Sequence, residues 1–449
     1  MLKKFAILLV LLSFGMQAQH TISGKMTKPA KTDWIVLYKI DGGDQSFIAN
    51  TNVKDNHFSF TLKKGDAPGI YRLFYQMANQ TYLDFIYNNE DIVLSFDPND
   101  PAGSINFTKS DENNLFKRYT ENSATPQSEL DNIQLAYFKT TGNATDAKLT
   151  QDYILKLQEI NKVQQQFENL SKSMLTYHFI VASKRTNADK PFKNATDYLA
   201  FTKAHFFDGI DFNNPILVKS TLIIDRVNDY IFYVNVSPDQ KMQTQLYKTS
   251  IANVFDKIHN PILNKSLVYY LLKRFSTNEN KAITEFLLTN YFDKLPLADQ
   301  DSDYKNTLIE KMKIAINATA PDIAWQDFGE NKSLYQLKGA KYYLILFWSS
   351  TCSHCLNEVP LLYDYLKAKN EVKVLAIGLE DAPNPWNAEM SKYPNFIHVF
   401  GENHWKNKYA KAYDIHATPT YIVLDSAKTI VAKPYDINDV KAFFSKLKM

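Results

Sequence analysis

The sequence predicts three folded domains: an N-terminal antiparallel β-sandwich, an all-helical middle domain and a C-terminal α/β domain. The chain has 449 residues, whereas one domain usually takes roughly 100 to 200. Apolar residues alternate with period two up to about residue 108 and then follow the helical period. From about residue 315, strand and helix patterns alternate, as in α/β domains. We therefore expect the β-sandwich over 19–108, the helical domain over 109–314 and the α/β domain over 315–449.

The composition is that of a globular protein and excludes several classes of function. Hydrophobic residues make up 45% of the chain and charged residues 22%, which is too apolar for a disordered protein. Glycine occurs only 13 times and forms no phosphate-binding motif, so nucleotide chemistry is not expected. The 51 Lys and Arg residues balance 48 Asp and Glu residues without forming a basic stripe. We therefore expect no nucleic-acid partner.

Residues 1–18 have the pattern of a cleaved signal peptide. Lys3 and Lys4 form a positive segment, an apolar run follows from Phe5 to Phe14, and Ala18 lies at a small-residue cleavage site. The alternative is an anchor helix, but the apolar run has ten residues and a membrane span needs about 20. No cysteine near this site could carry a lipid, and no later segment is apolar for long enough to cross a bilayer. We expect the mature chain to be exported to the periplasm without a transmembrane segment.

The β-sandwich prediction depends on short alternating runs separated by turn-forming residues. The turns include Asp41-Gly42-Gly43 and Asn88-Asn89, and their near-regular spacing favours about seven or eight antiparallel strands. The aromatic residues either form a binding face or fill the core at alternate positions, and we expect the core. The clearest strand patterns are Trp34–Tyr38, His57–Thr61, Tyr71–Tyr75, Tyr82–Tyr87 and Ile92–Phe96.

The middle domain is predicted from apolar residues that recur every three or four positions. One series from Tyr153 to Tyr177 predicts a single long amphipathic helix led in by Thr145-Asp146. Two later segments, which begin Asn214-Pro215 and Asn260-Pro261, place proline in the first turn of a helix and agree at six of seven positions. This similarity indicates either a duplicated helical hairpin or the same helix-start chemistry used twice.

The C-terminal domain is predicted from a βαβ unit followed by a β-hairpin and a helix. The predicted strands are Tyr342–Trp348, Val372–Gly378, Phe396–Phe400, Tyr421–Leu424 and Thr429–Ala432. The predicted helices are Leu356–Lys369, His404–Tyr413 and Val440–Leu447.

The chain has two cysteines, Cys352 and Cys355, where the first of these strands is followed by a helix. A disulfide between them closes too short a loop to stabilise a fold much, so we expect a chemical purpose. The unpaired N–H groups and dipole of a helix N-terminus stabilise a thiolate, which makes Cys352 the candidate nucleophile. Cys355, one turn along, would then resolve the mixed disulfide and form a redox-active disulfide with Cys352.

The cysteine pair has three alternatives to redox chemistry. A zinc site would need further ligands, but His398, His404 and His416 lack ligand spacing, so no metal is expected. A peroxidatic cysteine would have proline and threonine at set positions upstream, and these positions do not match. An inert disulfide is the third alternative. We expect redox chemistry.

Four motifs of the C-terminal domain occur together in one known family. They are Ala320-Pro321-Asp322, Phe347-Trp348-Ser349-Ser350-Thr351-Cys352-Ser353-His354-Cys355, Leu356-Asn357-Glu358-Val359-Pro360 and Ala417-Thr418-Pro419-Thr420. The region 315–449 resembles the TlpA/ResA-like thiol:disulfide oxidoreductases of the thioredoxin superfamily, which implies a thioredoxin-like fold and an oxidoreductase. Residues 20–108 resemble a β domain of unknown function that often precedes such domains in exported proteins.

The resemblance also implies roles for individual residues near the cysteines. Pro419 matches a cis proline beside the cysteine pair, and Thr418 would present its backbone to a bound polypeptide. Glu358 matches an acidic residue implicated in proton handling, although it could also be a solvated charge on the helix. The buried aspartate of cytoplasmic thioredoxins falls on Leu346, which leaves Glu358 as the nearby candidate for that task. Trp348 is a candidate for substrate contact or for simple packing.

The expected function is an exported thiol-disulfide oxidoreductase that acts on protein thiols or disulfides without a cofactor. The direction of electron flow depends on two opposing features. A protonated His354 would stabilise the thiolate and favour an oxidant, whereas Glu358 and the Phe-Trp motif resemble the reducing branch. A neutral imidazole contributes little charge, so His354 is a modulating residue and we expect a reductant supplied by a membrane electron donor.

The rival function is a partner- or ligand-binding protein that uses the thioredoxin fold as a docking platform. A docking platform has no need of two cysteines together with the Thr418-Pro419 pair. We therefore prefer the enzyme.

Overall fold

The structure is a computed structural model that describes residues 20–30, 32–63, 65–76, 81–140 and 143–447. The predicted signal peptide, residues 1–18, lies outside the described residues. The chain divides into two compact units between Leu267 and Val268. The predicted domain boundaries near residues 108 and 314 follow changes of periodicity and stay predictions.

The N-terminal strands form two four-stranded sheets. Counted along the chain, one sheet has the strand order fourth-first-seventh-eighth and the other has the order third-second-fifth-sixth. Both sheets contribute to one apolar core, which contains Ile22 and Phe96 from the first and Leu37 and Leu73 from the second. The predicted sandwich of seven or eight strands is therefore confirmed. The strands are β1 (Thr21–Met26), β2 (Trp34–Asp41), β3 (Asp44–Asn52), β4 (His57–Thr61), β5 (Gly69–Gln76), β6 (Thr81–Tyr87), β7 (Ile92–Phe96) and, after the short helix α1 (Pro101–Ser104), β8 (Asn106–Lys109).

One strand pair departs from the predicted antiparallel arrangement. β1 and β7 are parallel neighbours, with Ile22 opposite Ile92 and Met26 opposite Phe96, so the purely antiparallel prediction is wrong for this pair. The alternation of apolar residues identifies a strand and its buried face but not its partner. A parallel pair needs a crossover connection, and the chain between β1 and β7 provides one by running through the second sheet.

A side chain, rather than another strand, closes the outer edge of β6. Asn113 lies in the first turn of helix α2 (Asp111–Phe138) and is only 5% exposed. Its amide donates to the carbonyl oxygen of Ile86 at 2.7 Å and accepts the N–H of Ile86 at 2.8 Å. The edge strand thereby gains the pair of hydrogen bonds that a neighbouring strand would supply.

The middle of the chain is helical, as predicted. After α2 come α3 (Asn143–Ser171), α4 (Thr176–Ser183), α5 (Ala195–Ala204), α6 (Pro215–Val218), α7 (Leu222–Asp229), α8 (Gln240–Phe255), α9 (Pro261–Thr277), α10 (Lys281–Asn290) and α11 (Ser302–Met312).

The predicted single helix through Tyr177 is wrong at its C-terminal end. α3 ends at Ser171, and α4 begins at Thr176. The buried carboxylate of Glu112 accepts the N–H groups of Leu175 and Thr176 at 2.9 and 2.7 Å, which caps the start of α4. The cap comes from a residue far away in sequence, so the local pattern does not contain it.

The two Asn-Pro segments share a helix start and not a longer structure. The side chains of Asn214 and Asn260 each accept N–H groups from the first turn that follows. The helices they begin have 4 and 17 residues. The similarity therefore reflects capping chemistry rather than a duplicated hairpin.

The C-terminal domain contains a five-stranded sheet, in which the first strand along the chain is central, the second and third lie on one side of it, and the fourth and fifth lie on the other. A hairpin of β9 (Ala324–Asp327) and β10 (Glu330–Ser333) precedes it. The sheet strands are β11 (Tyr342–Trp348), β12 (Val372–Glu380), β13 (Ile397–Glu402), β14 (Thr420–Asp425) and β15 (Ile430–Ala432), and the helices are α12 (Ser353–Leu366), α13 (Pro383–Met390), α14 (Lys408–Ala412) and α15 (Ile437–Lys446).

The central strand β11 is buried on both faces. Its odd-numbered residues from Tyr343 to Phe347 pack into one apolar cluster with Tyr409 of α14. Its even-numbered residues from Leu344 to Trp348 pack into a second cluster on the other face, with residues of α12, α13 and α15. Helices therefore cover both faces of the sheet, which confirms the predicted α/β domain and explains why β11 is one continuous apolar run.

None of the helices in the described ranges combines the length and the apolar character that a membrane crossing requires.

Candidate active site

The cysteine pair lies where the central strand meets helix α12. β11 ends at Trp348, and Cys352 is the N-cap residue of α12 with φ −88° and ψ 116°. The N–H of Cys355, in the first turn, points at the Sγ of Cys352 at 3.4 Å. A sulfur at this position faces unpaired N–H groups and the positive end of the helix dipole. The helix starts at Ser353, three residues before its predicted start at Leu356.

A second loop meets the cysteines because β14 runs antiparallel beside β11. Thr420, the first residue of β14, is paired with Phe347, so the loop before β14 lies next to the loop after β11. The Thr418–Pro419 peptide bond is cis. The Cys352 thiol donates to the carbonyl oxygen of Thr418 at 3.3 Å.

The two thiols have opposite environments. Cys352 is partly exposed and Cys355 is fully buried, and both are free. Burial raises the pKa of Cys352, but hydrogen bonds from the side chains of Cys355 and Thr418 and from backbone N–H groups outweigh it and lower the pKa below its ordinary value. Burial raises the pKa of Cys355 to about 12, assisted by the hydrogen bond to Cys352. Cys352 is therefore the thiol that ionises first.

Glu358 does not extend freely into solvent. It is half-buried on α12, and its Oε2 accepts the hydroxyl of Tyr421 at 2.8 Å and the N–H of Ile437 at 3.2 Å. Glu358 lies three residues after Cys355, so the two share one side of the helix. Groups from β14 and α15 fix the carboxylate on the side of α12 that carries Cys355.

Trp348 and His354 have different surroundings. Trp348 is fully buried, packs against Tyr393 with ring centroids 6.0 Å apart, and offers no surface to a partner. Its Nε1 has no hydrogen-bond partner among the described residues. His354 is exposed in the first turn of α12.

Two residues near the site are not among those predicted from the sequence. Glu380, at the end of β12, is only 3% exposed, and its Oε1 accepts the N–H of Ser350 at 2.5 Å, which holds the loop before Cys352. The hydroxyl of Tyr421 donates a hydrogen bond to Glu358. A signal for Glu380 was present, because a carboxylate ends an otherwise apolar strand. No comparable signal marks Tyr421, whose role depends on packing between β14 and α12.

The described ranges contain no group of three or more His, Cys, Asp or Glu side chains placed to hold a metal ion.

Two parts of the chain match known families. Residues 339–430 match the family described as Thioredoxin-like, and residues 20–149 match a Domain of unknown function (DUF4369). The resemblance of the C-terminal domain to the thioredoxin superfamily is therefore confirmed, as is the presence of a domain of unknown function before it. The second match extends beyond the sandwich into the start of α3.

Several solved structures are similar to the C-terminal part of the chain. The thioredoxin domain of a thiol-disulfide oxidoreductase from Bacteroides vulgatus is 25% identical and aligns over 29% of this chain and 96% of that one, with a TM-score of 0.27. A domain of a possible thiol-disulfide isomerase from Cytophaga hutchinsonii is 28% identical over 29% of this chain and 91% of its own, with a TM-score of 0.26. A thiol:disulfide interchange protein from Bacteroides sp. is 27% identical over 30% and 91%, with a TM-score of 0.27. No curated protein matches the chain.

Proposed function

We propose that this protein is a thiol-disulfide oxidoreductase that exchanges disulfides through Cys352 and Cys355. The observation that carries the proposal is the contrast between the two thiols. Cys352 is accessible, with a lowered pKa, whereas Cys355 is buried, with a pKa raised to about 12. In such a pair, the attacking cysteine must ionise easily to a thiolate, and the resolving cysteine must stay protonated until the mixed disulfide has formed.

The proposed reaction has two steps. The Cys352 thiolate attacks one sulfur of the partner disulfide, which forms a mixed disulfide and releases the other partner sulfur as a thiolate that takes up a proton. The thiol of Cys355 then attacks Cys352, and its proton passes to Glu358 directly or through one water. The remaining partner sulfur leaves and is protonated. The partner disulfide has gained two electrons, and Cys352 and Cys355 have lost them by forming a disulfide.

The partner polypeptide would bind beside the cis peptide. The carbonyl oxygen of Thr418 lies at hydrogen-bond distance from Cys352 Sγ, so a chain whose sulfur approaches Cys352 comes next to the backbone of Thr418 and Pro419. His354, exposed in the same helical turn, would modulate the charge around the approaching sulfur. Trp348 is fully buried, so it would not contact the partner and would support the site only through its packing at the end of β11.

We propose that the protein acts as a reductant of protein disulfides. Glu358 supplies a base that takes up the proton of Cys355 when the pair passes its electrons to the partner. The hydrogen bonds that lower the pKa of Cys352 come mainly from neutral groups. Equilibration of the protein with glutathione buffers, read by mass spectrometry of the cysteines, tests the direction. We expect a midpoint potential toward the thioredoxin value of about −270 mV, and a value more positive than about −180 mV would contradict a reductant.

We also propose export to the periplasm, where a membrane electron donor would return the cysteines to the dithiol form. The support is the charged, apolar and small-residue pattern of residues 1–18. N-terminal sequencing of the mature protein from its native cell envelope tests this. We expect the chain to begin at Gln19, and an intact Met1 in a cytoplasmic fraction would contradict it.

A further inference from the structure

Tyr421 is a buried ionisable residue that the two-step reaction does not use. It lies on β14, two residues after Pro419, and its side chain is 0% exposed. Its hydroxyl reaches across to α12 and donates to Glu358 Oε2 at 2.8 Å. Tyr421 and Cys355 belong to the same apolar cluster. One tyrosine thus links the strand after the cis peptide to the helix that carries both Cys355 and Glu358.

The carboxylate of Glu358 is held from two directions. Ile437 is the first residue of α15, and its N–H donates to the same Oε2 that Tyr421 contacts. The N–H groups of a helix start favour negative charge. Since the two donors come from different elements, they fix the carboxylate in position.

The groups that face Tyr421 are few. On α12 they are Glu358 and Cys355, and at the N-cap of α15 there is Asp436. Across the sheet its partner on β11 is Leu346, which is apolar. Burial, then the hydrogen bond and charge of Glu358, and then the charges of Cys355 and Asp436 all raise the pKa of Tyr421. The phenol therefore keeps its proton and remains a hydrogen-bond donor at any physiological pH.

We propose that Tyr421 is a positioning residue for the resolving step, which holds the Glu358 carboxylate in place to receive the proton of Cys355. In that step the S–H bond of Cys355 breaks and its proton goes to Glu358. The Cys355 sulfur forms a bond to Cys352, and the partner sulfur leaves with the electron pair of the broken mixed disulfide. Tyr421 keeps its own proton throughout and acts only through Glu358. The inference rests on the proposed function and adds the residue that controls its second half.

A two-phase experiment separates the two steps. The full-length dithiol protein is mixed with an aromatic disulfide that releases a coloured thiolate at each attack. The first release reports the attack of Cys352, and the second reports the attack of Cys355 on the mixed disulfide. Both phases are followed across pH in the wild type, in Tyr421→Phe and in a matched control, Tyr343→Phe. Tyr343 is also a buried sheet tyrosine, and its hydroxyl donates at 2.8 Å to the carbonyl oxygen of Leu337, away from the cysteines.

We expect Tyr421→Phe to slow the second phase about tenfold at neutral pH. This factor corresponds to the lower end of the free energy that one hydrogen bond to a charged group contributes. The pH midpoint of this phase should also change, because the carboxylate that takes up the proton has lost a hydrogen-bond donor. The first phase should stay within about twofold, and Tyr343→Phe should leave both phases unchanged. A second phase with unaltered rate and pH midpoint in Tyr421→Phe would overturn the proposal, as would an equal slowing of both phases.

Two further results keep the inference distinguishable from the proposed function. Glu358→Gln should slow the second phase at least as much as Tyr421→Phe, and the double variant should be no slower than Glu358→Gln alone. Additive effects would show that Tyr421 does not act through Glu358, and this comparison stands even if Tyr421→Phe is less stable. A wild-type protein that releases no thiolate in either phase would instead refute the proposed function.

Discussion

The unequal reactivity of the two thiols can be tested one cysteine at a time. In Cys355→Ser only Cys352 remains to react with iodoacetamide, and in Cys352→Ser only Cys355 remains. Each folded variant is exposed to the reagent at pH 8 for increasing times, and the modified fraction is measured by mass spectrometry. Unfolded samples of the same variants serve as the control, because both cysteines should then react at similar rates.

The size of the difference follows from the surroundings of Cys355. Its pKa is raised to about 12, from an ordinary value of 9.0. A shift of about three units lowers the thiolate fraction at pH 8 by roughly a thousandfold. Serine at position 352 removes the hydrogen bond and charge of Cys352, but burial, the largest cause, remains. We therefore expect Cys355 to react at least about a hundredfold more slowly than Cys352.

The pH dependence gives a second check on the same assignment. The reaction of Cys352 should reach half of its maximum rate below the pH expected for an ordinary thiol, since its pKa is lowered. Equal rates in the two folded variants, or a faster reaction at Cys355, would refute the division into an attacking and a resolving thiol.

Two further predictions concern stability. Above about pH 9 the unfolded chain releases the Cys355 proton while the folded dithiol protein retains it, so the free energy of unfolding should fall by about 1.4 kcal/mol between pH 8 and pH 10, a component that Cys355→Ser should lack in denaturant titrations. An identical pH dependence in the variant would contradict the raised pKa. Asn113→Ala leaves both the N–H and the carbonyl of Ile86 unpaired at a buried sheet edge. The free energy of unfolding of the N-terminal unit should therefore fall by about 2 to 4 kcal/mol. Asn122→Ala, which removes an exposed bond to Arg118 within the same helix, is the control and should change stability little.

The features that the sequence predicts well are those that depend on neighbouring residues. The bounds of β11 follow from an apolar run covered on both faces, and the position of Cys352 at a strand-to-helix junction follows from that run and the amphipathic pattern after it. Helix α13 is not among the elements predicted from the sequence, and it contains Pro383 and Pro385. They lie in its first turn, where the missing N–H groups have no partner in the helix to lose.

The features that the sequence does not predict depend on contacts between distant segments. The parallel pairing of β1 with β7 is a choice of partner, and the break between α3 and α4 is capped by Glu112 from another helix. Tyr421 is the clearest case in the candidate site. Its hydroxyl contacts Glu358 only when β14 is paired with β11 and α12 is packed on the sheet. The residues around Tyr421 have only the apolar pattern of a buried strand.

The most direct test of the central claim is the stoichiometry of exchange with a protein disulfide. The full-length dithiol protein is incubated with a disulfide-containing polypeptide such as insulin and quenched with acid. Peptide mapping then counts the new thiols on the polypeptide and the Cys352–Cys355 disulfides on the enzyme. We predict one enzyme disulfide for each polypeptide disulfide reduced, and none with Cys352→Ser. Unreacted polypeptide with Cys352 and Cys355 still reduced, under conditions where a small dithiol reacts, would contradict the account.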